Sequence, residues 1–229
     1  MRKQKGFTLA EVLITLGIVG VISALTLPNM TQNVNQQKVG PTLAKAVNVL
    51  ETANRDLFRL TETSDILTAC EATEDDITGS YLLCLANNSN ITANFLTDSA
   101  TYQKANDTYK TNSCIQLKDG ITYCVRADAK PDSATASRKY YGKYINLLID
   151  INGPEQRPNK ISKDAFEFKL DLQGSLIPTG GREYNLYKSN NPTLDPDWKT
   201  SCNKGKTITE PLDCSGSIAD NNWKVIYNY

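Results

Sequence analysis

The sequence predicts an α+β protein: one long N-terminal helix, membrane-spanning in its first half, packed on an antiparallel β-sheet. Three observations predict it. An apolar run from Phe7 to Leu27 begins almost at the first residue and holds a single charge, Glu11. Beyond it, Val39, Leu43, Ala46, Leu50, Ala53, Leu57 and Leu60 recur in alternating steps of four and three, the single stripe of a helix. From residue 111 onward the period falls to two and turn residues punctuate the chain, which is the pattern of strands.

Composition bounds the function. The chain has 229 residues, enough for one sizeable globular domain after the apolar run. Net formal charge is zero, but Arg2, Lys3 and Lys5 crowd the first five positions and leave the rest mildly acidic. No basic surplus remains to suggest nucleic-acid binding. Histidine is absent. That removes the commonest general base and metal ligand, and every Ser-His-Asp or Cys-His arrangement, so no enzyme is expected. Six cysteines, Cys70, Cys84, Cys114, Cys124, Cys202 and Cys214, all follow the apolar run. An even count without C-x-x-C reads as disulfides in an oxidising compartment rather than as zinc ligands; free core thiols are the alternative.

The apolar run comes first in the chain. Its 21 residues would form a helix of ~31 Å, close to the ~30 Å hydrocarbon core of a bilayer. The basic leader should stay cytoplasmic and place the remainder outside. A secretory signal peptide fits poorly, because the run is long and Ile22 precedes Ala24 where a small residue is wanted. A plain anchor explains the length but not Glu11, since an ionised carboxylate costs about 2.5–3.5 kcal/mol at mid-bilayer. After the polar stretch that follows Pro28, the stripe from Val39 extends the helix. It runs from about Thr8 to Leu60, with an irregularity expected at Gly40-Pro41, where the proline removes a backbone hydrogen bond. Residues 28–60 are thus an amphipathic continuation, and residues 61–229 the extracytoplasmic globular domain.

Residues 61–110 read as solvated loops around short helical pieces. "CIQLKDGITYC" then reads as a hairpin. With Lys118-Asp119-Gly120 as a three-residue loop, Leu117 faces Ile121 and Cys114 faces Cys124, so a cross-strand disulfide is sensible there. "YINLLIDI" suits the sheet centre. "FEFKLDLQG" puts Phe166, Phe168, Leu170 and Leu172 on one face, to pack on the helix. "SLIP" continues a meander after Gly174, and "WKVIYNY" reads as a last strand.

One loop is rich in oxygen donors. Asp150, Asn152, Glu155 and Asp164 surround Gly153 and form half of a D-x-N-G calcium loop. The further Asp or Asn and the terminal bidentate Glu are missing, and an Asn-Gly-Pro turn with solvated acids is the other reading. "NKGKTIT" lacks the first glycine of a P-loop, because Thr200 stands there. Lys199, Lys204 and Lys206 suggest a soluble rim rather than a polyanion site.

The N-terminal residues resemble the type IV pilins and type II secretion pseudopilins. Gly6-Phe7-Thr8-Leu9, with Glu11 fifth from Phe7, looks like the processing site of that family, and Gly20 and Pro28 match its helix-loosening positions. Ala10 and Gly17 are ordinary variation. The resemblance implies that a prepilin peptidase removes residues 1–6 as a leader and methylates Phe7. It implies a pilin-like fold in which residues 7–27 serve first as a transmembrane helix and then as filament core. Glu11 would pair with the Phe7 amine of a neighbouring subunit. The implied partners are other pilin or pseudopilin subunits, the peptidase, an inner-membrane assembly platform driven by a cytoplasmic motor, and membrane lipid.

The segment from Cys202 to Cys214 looks like the disulfide-bounded C-terminal loop of type IV pilins. That leaves Cys70 and Cys84 as the remaining pair among fifteen formal connectivities. Some pseudopilins bind calcium in a loop of the sheet domain, which bears on Asp150 and its neighbours. The expected function is a structural subunit of a type IV pilus or type II secretion pseudopilus. The alternative is a membrane-anchored extracytoplasmic binding module or enzyme using the prepilin export route. Major or minor status, cargo and the choice between secretion, pilus and DNA uptake stay open on the sequence.

Overall fold

The computed structural model describes residues 6–73, 76–96, 101–104, 107–126, 144–179, 202 and 214–227. They belong to two compact units, Met1–Lys38 and Val39–Tyr229, taken separately below. Helix α1 spans Leu9–Thr61. It stays helical through Gly40-Pro41, so the expected irregularity does not interrupt it. Pro41 removes one donor, while the apolar stripe on its C-terminal side holds the helix against the core. The helix stops at Glu62, which takes a left-handed conformation (φ 54°). Thr63 N then donates back to Phe58 O at 3.0 Å, closing the last turn.

In the second unit, Val39, Leu43, Ala46, Leu50, Ala53 and Leu57 are all buried, and Val47 joins them. Leu60 is 52 % exposed, so the stripe ends one step earlier than expected. The buried face also contains Asn54. Asn54 Nδ2 donates to the Gly174 carbonyl at 3.0 Å, and the Tyr81 hydroxyl donates to Asn54 Oδ1 at 2.6 Å. Gly174 turns with φ +85°, and a Cβ there would meet Phe58 at 2.9 Å and Asn54 at 3.0 Å. The Tyr123 hydroxyl donates to the Ala46 carbonyl at 2.8 Å. These bonds clamp helix to sheet at defined points. Asn54→Ala strands the Tyr81 hydroxyl and the Gly174 carbonyl in the core, at a cost of about 3 kcal/mol. Thermal unfolding of the full chain should fall by roughly 10 °C; an unchanged midpoint would show that the clamp carries no stability.

Helices α2 (Ile66–Ala69) and α3 (Ile77–Asn88) follow. The strands are β1 (Ala93–Leu96), β2 (Thr101–Lys104), β3 (Asp107–Leu117), β4 (Thr122–Arg126), β5 (Tyr144–Asp150), β6 (Ala165–Asp171) and β7 (Leu176–Pro178). Every pairing is antiparallel, in the order β1-β3-β4-β5-β6-β7, with β2 also pairing β3. The fold class is therefore α+β, with an antiparallel sheet and an apolar N-terminal helix. Strands β1 and β2 and the start of β3 fall where solvated loops were expected. Strand β2 and the start of β3 are mostly polar in sequence, and β1 is only four residues long, so no period-two apolar signal marks them.

The β3–β4 hairpin turns at Gly120, with φ +92°, and Leu117 N donates to Ile121 O at 2.8 Å. Cys114 lies opposite Cys124. On β6, Phe166, Phe168 and Leu170 join the core with the helix, and Leu172 is half-buried. The other face of the sheet is not simply polar. Cys114, Cys124, Leu148, Ile161 and Ala165 form a second, smaller apolar cluster there. The predicted last strand is absent from the described part of "WKVIYNY". Helix α4 (Ser215–Asp220) is followed by Asn222 and Trp223 in left-handed conformations (φ 55° and 57°) and an irregular run to the buried Tyr227. Two successive left-handed residues leave no start for a strand. The Trp223 carbonyl instead abuts α1 at Gly40, where a Cβ would lie 1.8 Å from it.

Candidate functional site at the N-terminal helix

The candidate site is built from Gly6, Phe7, Thr8 and Glu11. Gly6, Phe7 and Thr8 precede the helix and are exposed, Phe7 at 89 %. The peptide bond between Gly6 and Phe7 thus lies outside the helical hydrogen-bond ladder. The first turn is closed by side chains. Glu11 N donates to Thr8 Oγ1 at 3.3 Å, while Glu11 Oε2 accepts from Thr8 N at 2.8 Å and from Thr8 Oγ1 at 2.9 Å. This reciprocal arrangement is a capping box, which satisfies amide donors that a helix start leaves orphaned. The Thr-x-x-Glu spacing of residues 8–11 spells it in the sequence, and gives Thr8 a capping role beyond its place in the processing motif.

Beyond the cap, Leu9–Thr26 is apolar enough in length and composition to cross a membrane. Leu13, Ile14, Leu16, Ile18, Val19, Val21, Ile22 and Leu25 are all exposed in the isolated chain. An apolar surface of that extent demands cover by lipid or by other protein. Thr15 and Thr26, two of the polar residues within it, turn their hydroxyls back onto helix carbonyls at 2.9–3.0 Å. A Cβ on Gly20 would meet nothing within 4 Å, so among the described residues no contact requires glycine there. The backbone remains helical through Pro28.

The disulfides pair Cys70 with Cys84, Cys114 with Cys124 and Cys202 with Cys214. The last bounds the C-terminal loop. Its base is anchored by Cys214 N donating to Ser162 Oγ at 2.9 Å and Ser217 Oγ donating to the Cys202 carbonyl at 3.0 Å. Lys199, Lys204 and Lys206 lie outside the described residues.

The loop after β5 makes the Asn-Gly-Pro turn of the second reading, but of its three acids only Glu155 is solvated. Asp150 and Asp164 are buried. Asp150 Oδ1 accepts from Asn152 N at 3.0 Å and Gly153 N at 2.8 Å, making the turn. Asp164 accepts from Asn159 N at 2.8 Å and Lys160 N at 2.7 Å. Glu155 is exposed. Among the described residues no group of three His, Cys, Asp or Glu side chains could hold a metal ion. These carboxylates organise backbone, as short acidic side chains do in tight turns.

The charges of the second unit set a pH response. Burial raises the pKa of Asp164 and of Asp171 above the ordinary value, against the pull of their backbone amide donors. The Thr68 amide lowers that of Asp65. Burial also raises Asp119, but the Lys45 ammonium and the Ile121 amide outweigh it and the net direction is down. A carboxyl with a raised folded pKa binds protons more readily in the folded state, so it adds stability as pH falls through that pKa. One with a lowered pKa loses its contribution only below the ordinary range near pH ~4. The unfolding midpoint should therefore rise on mild acidification from neutrality and drop below about pH 4. A steady fall from pH ~7 downward would contradict this assignment.

Residues 1–27 match the family model for the prokaryotic N-terminal methylation motif. No characterised protein and no solved structure matched the chain. The chain thus carries, over its first 27 residues, the prepilin-type signal found in pilins and pseudopilins.

Proposed function

We propose that this protein is a structural subunit of a type IV pilus or a type II secretion pseudopilus. In this reading a prepilin peptidase cleaves between Gly6 and Phe7 and methylates the new amine. The helix first anchors the chain in the inner membrane, with the residues after Leu27 outside, and then moves into a filament core formed with other pilin-like subunits. The observation that carries the reading is the methylation motif of residues 1–27 leading into an apolar helix with an acid in its first turn.

The physics of that acid supports it. Two opposite charges, each costly in an apolar core, become tolerable when they meet, and removing one strands the other. Glu11 and the freed Phe7 amine of a neighbour are such a pair. A subunit that packs head-to-tail by one repeated contact gives an open helical filament rather than a closed ring. Mass spectrometry of the mature N-terminus tests the first step. It should begin at N-methyl-Phe7; a chain that retains Met1, or one cut near Ala24, would overturn the reading.

A further inference from the structure

The face of the sheet turned away from α1 carries a lysine set directly against an amide. Lys169 on β6 lies opposite Asn146 on β5, and its Nζ donates to Asn146 Oδ1. Both residues are half-buried. On its other side Lys169 lies opposite Ile177 of β7, which is buried. The next row of the same face holds Glu167 opposite Leu148, and Leu148 lies opposite Cys124. Leu148, Ala165 and the Cys114–Cys124 disulfide are buried there. An amine, a carboxamide and a carboxyl thus share one face near the middle of the sheet, beside its small apolar cluster.

We propose that Lys169 and Asn146 form an intramolecular amide cross-link between β5 and β6, with the Glu167 carboxyl as proton carrier. The pairing supplies what such a reaction needs. Opposed side chains on neighbouring strands are held within reach with no search, so the attack is effectively unimolecular. Apolar surroundings disfavour charge on an amine, and the attacking form is the neutral one. Glu167 is placed two residues from Lys169 on the same face and diagonal to Asn146.

The bookkeeping of atoms closes without a co-reactant. Lys169 Nζ attacks Asn146 Cγ, and the Cγ–Nζ bond forms. The proton shed by Nζ passes through the Glu167 carboxyl to Nδ2. The Cγ–Nδ2 bond then breaks and ammonia leaves. Nothing is oxidised or reduced. The product ties two interior strands covalently, and this inference stands independently of the filament reading.

Intact mass and peptide mapping of the reduced full-length protein test it. The wild-type chain should be lighter by one ammonia than its processed sequence requires, and a digest should yield one branched peptide joining β5 to β6. Lys169→Arg should show the full linear mass and two separate peptides. Glu167→Gln should leave most chains linear while the sheet still folds, as read by circular dichroism. A wild-type chain of full linear mass would overturn the cross-link. Complete cross-linking in Glu167→Gln would overturn the role given to that carboxyl.

Discussion

Gly40→Ala should destabilise the globular unit by about 2 kcal/mol or more, although alanine is the better helix former. Two opposing effects decide the sign. In a helix interior, replacing glycine by alanine gains about 1 kcal/mol. Here the added Cβ would sit 1.8 Å from the Trp223 carbonyl oxygen and 2.7 Å from its carbon. Both are backbone atoms, so no rotamer change relieves the contact. Overpacking of that kind costs typically 1–3 kcal/mol, and more where the obstacle cannot yield.

The obstacle here is tethered on both sides. Trp223 N donates to Ile218 O at 2.9 Å, holding the end of α4. Downstream, buried Tyr227 donates its hydroxyl to the Ser162 carbonyl at 2.9 Å. The cheapest escape is for residues 221–227 to lift from α1. Gly40→Ala should then show faster hydrogen exchange at Trp223 and its neighbours as well as a lower unfolding midpoint in the full chain. A midpoint equal to or above the wild type would show that helix propensity wins and that the segment moves aside freely.

That contact marks the limit of what local pattern reveals. The stripe from Val39 to Leu57 was legible because a helix repeats its buried face every three or four residues. The β3–β4 hairpin was legible because Lys-Asp-Gly specifies a turn and the cysteines fall opposite each other. Residues 223–227 have the composition of a strand, yet two left-handed residues and the docking of a carbonyl on Gly40 decide otherwise. Gly40 lies some 180 residues away in the chain, and tertiary context overrides β-propensity readily. Strands β1 and β2 were hidden for a different reason. Each is only four residues long, too short for a period of two to stand out, and β2 is mostly polar. Asn54 was hidden because a single polar residue on an apolar stripe looks like an interruption, whereas its partners Tyr81 and Gly174 come from distant segments. At the N-terminal site the acid stood out against its apolar surroundings. The threonine that caps with it did not, although the spacing was present.

Glu11→Ala should insert in the membrane normally and fail to enter filaments. Insertion depends on summed apolar transfer over Leu9–Thr26, and removing an acid from that stretch makes it easier. Assembly is different, because on the proposed reading a neighbour's Phe7 amine is left in the apolar core without its counter-charge. Breaking a buried pair by removing one partner costs about 3–5 kcal/mol, which repeats at every subunit and would abolish polymerisation.

The capping box offers a rival explanation, since Glu11 also holds the first turn through Thr8. Thr8→Val separates the two. It deletes the hydroxyl that caps Glu11 N and bonds Oε2, at a helix-start cost of about 1 kcal/mol, but keeps the Glu11 charge and the residue 8 amide. If pairing between subunits is what Glu11 provides, Thr8→Val fibres should form, at reduced yield, while Glu11→Ala and Glu11→Gln form none. If the local cap is what matters, Thr8→Val and Glu11→Ala should fail alike while Glu11→Gln, whose carboxamide oxygen still accepts from the Thr8 amide, forms fibres; electron microscopy of sheared fibres together with membrane fractionation distinguishes the two outcomes. Wild-type fibre yield from Glu11→Ala would refute both roles, because neither an unpaired amine nor an uncapped helix could then be limiting.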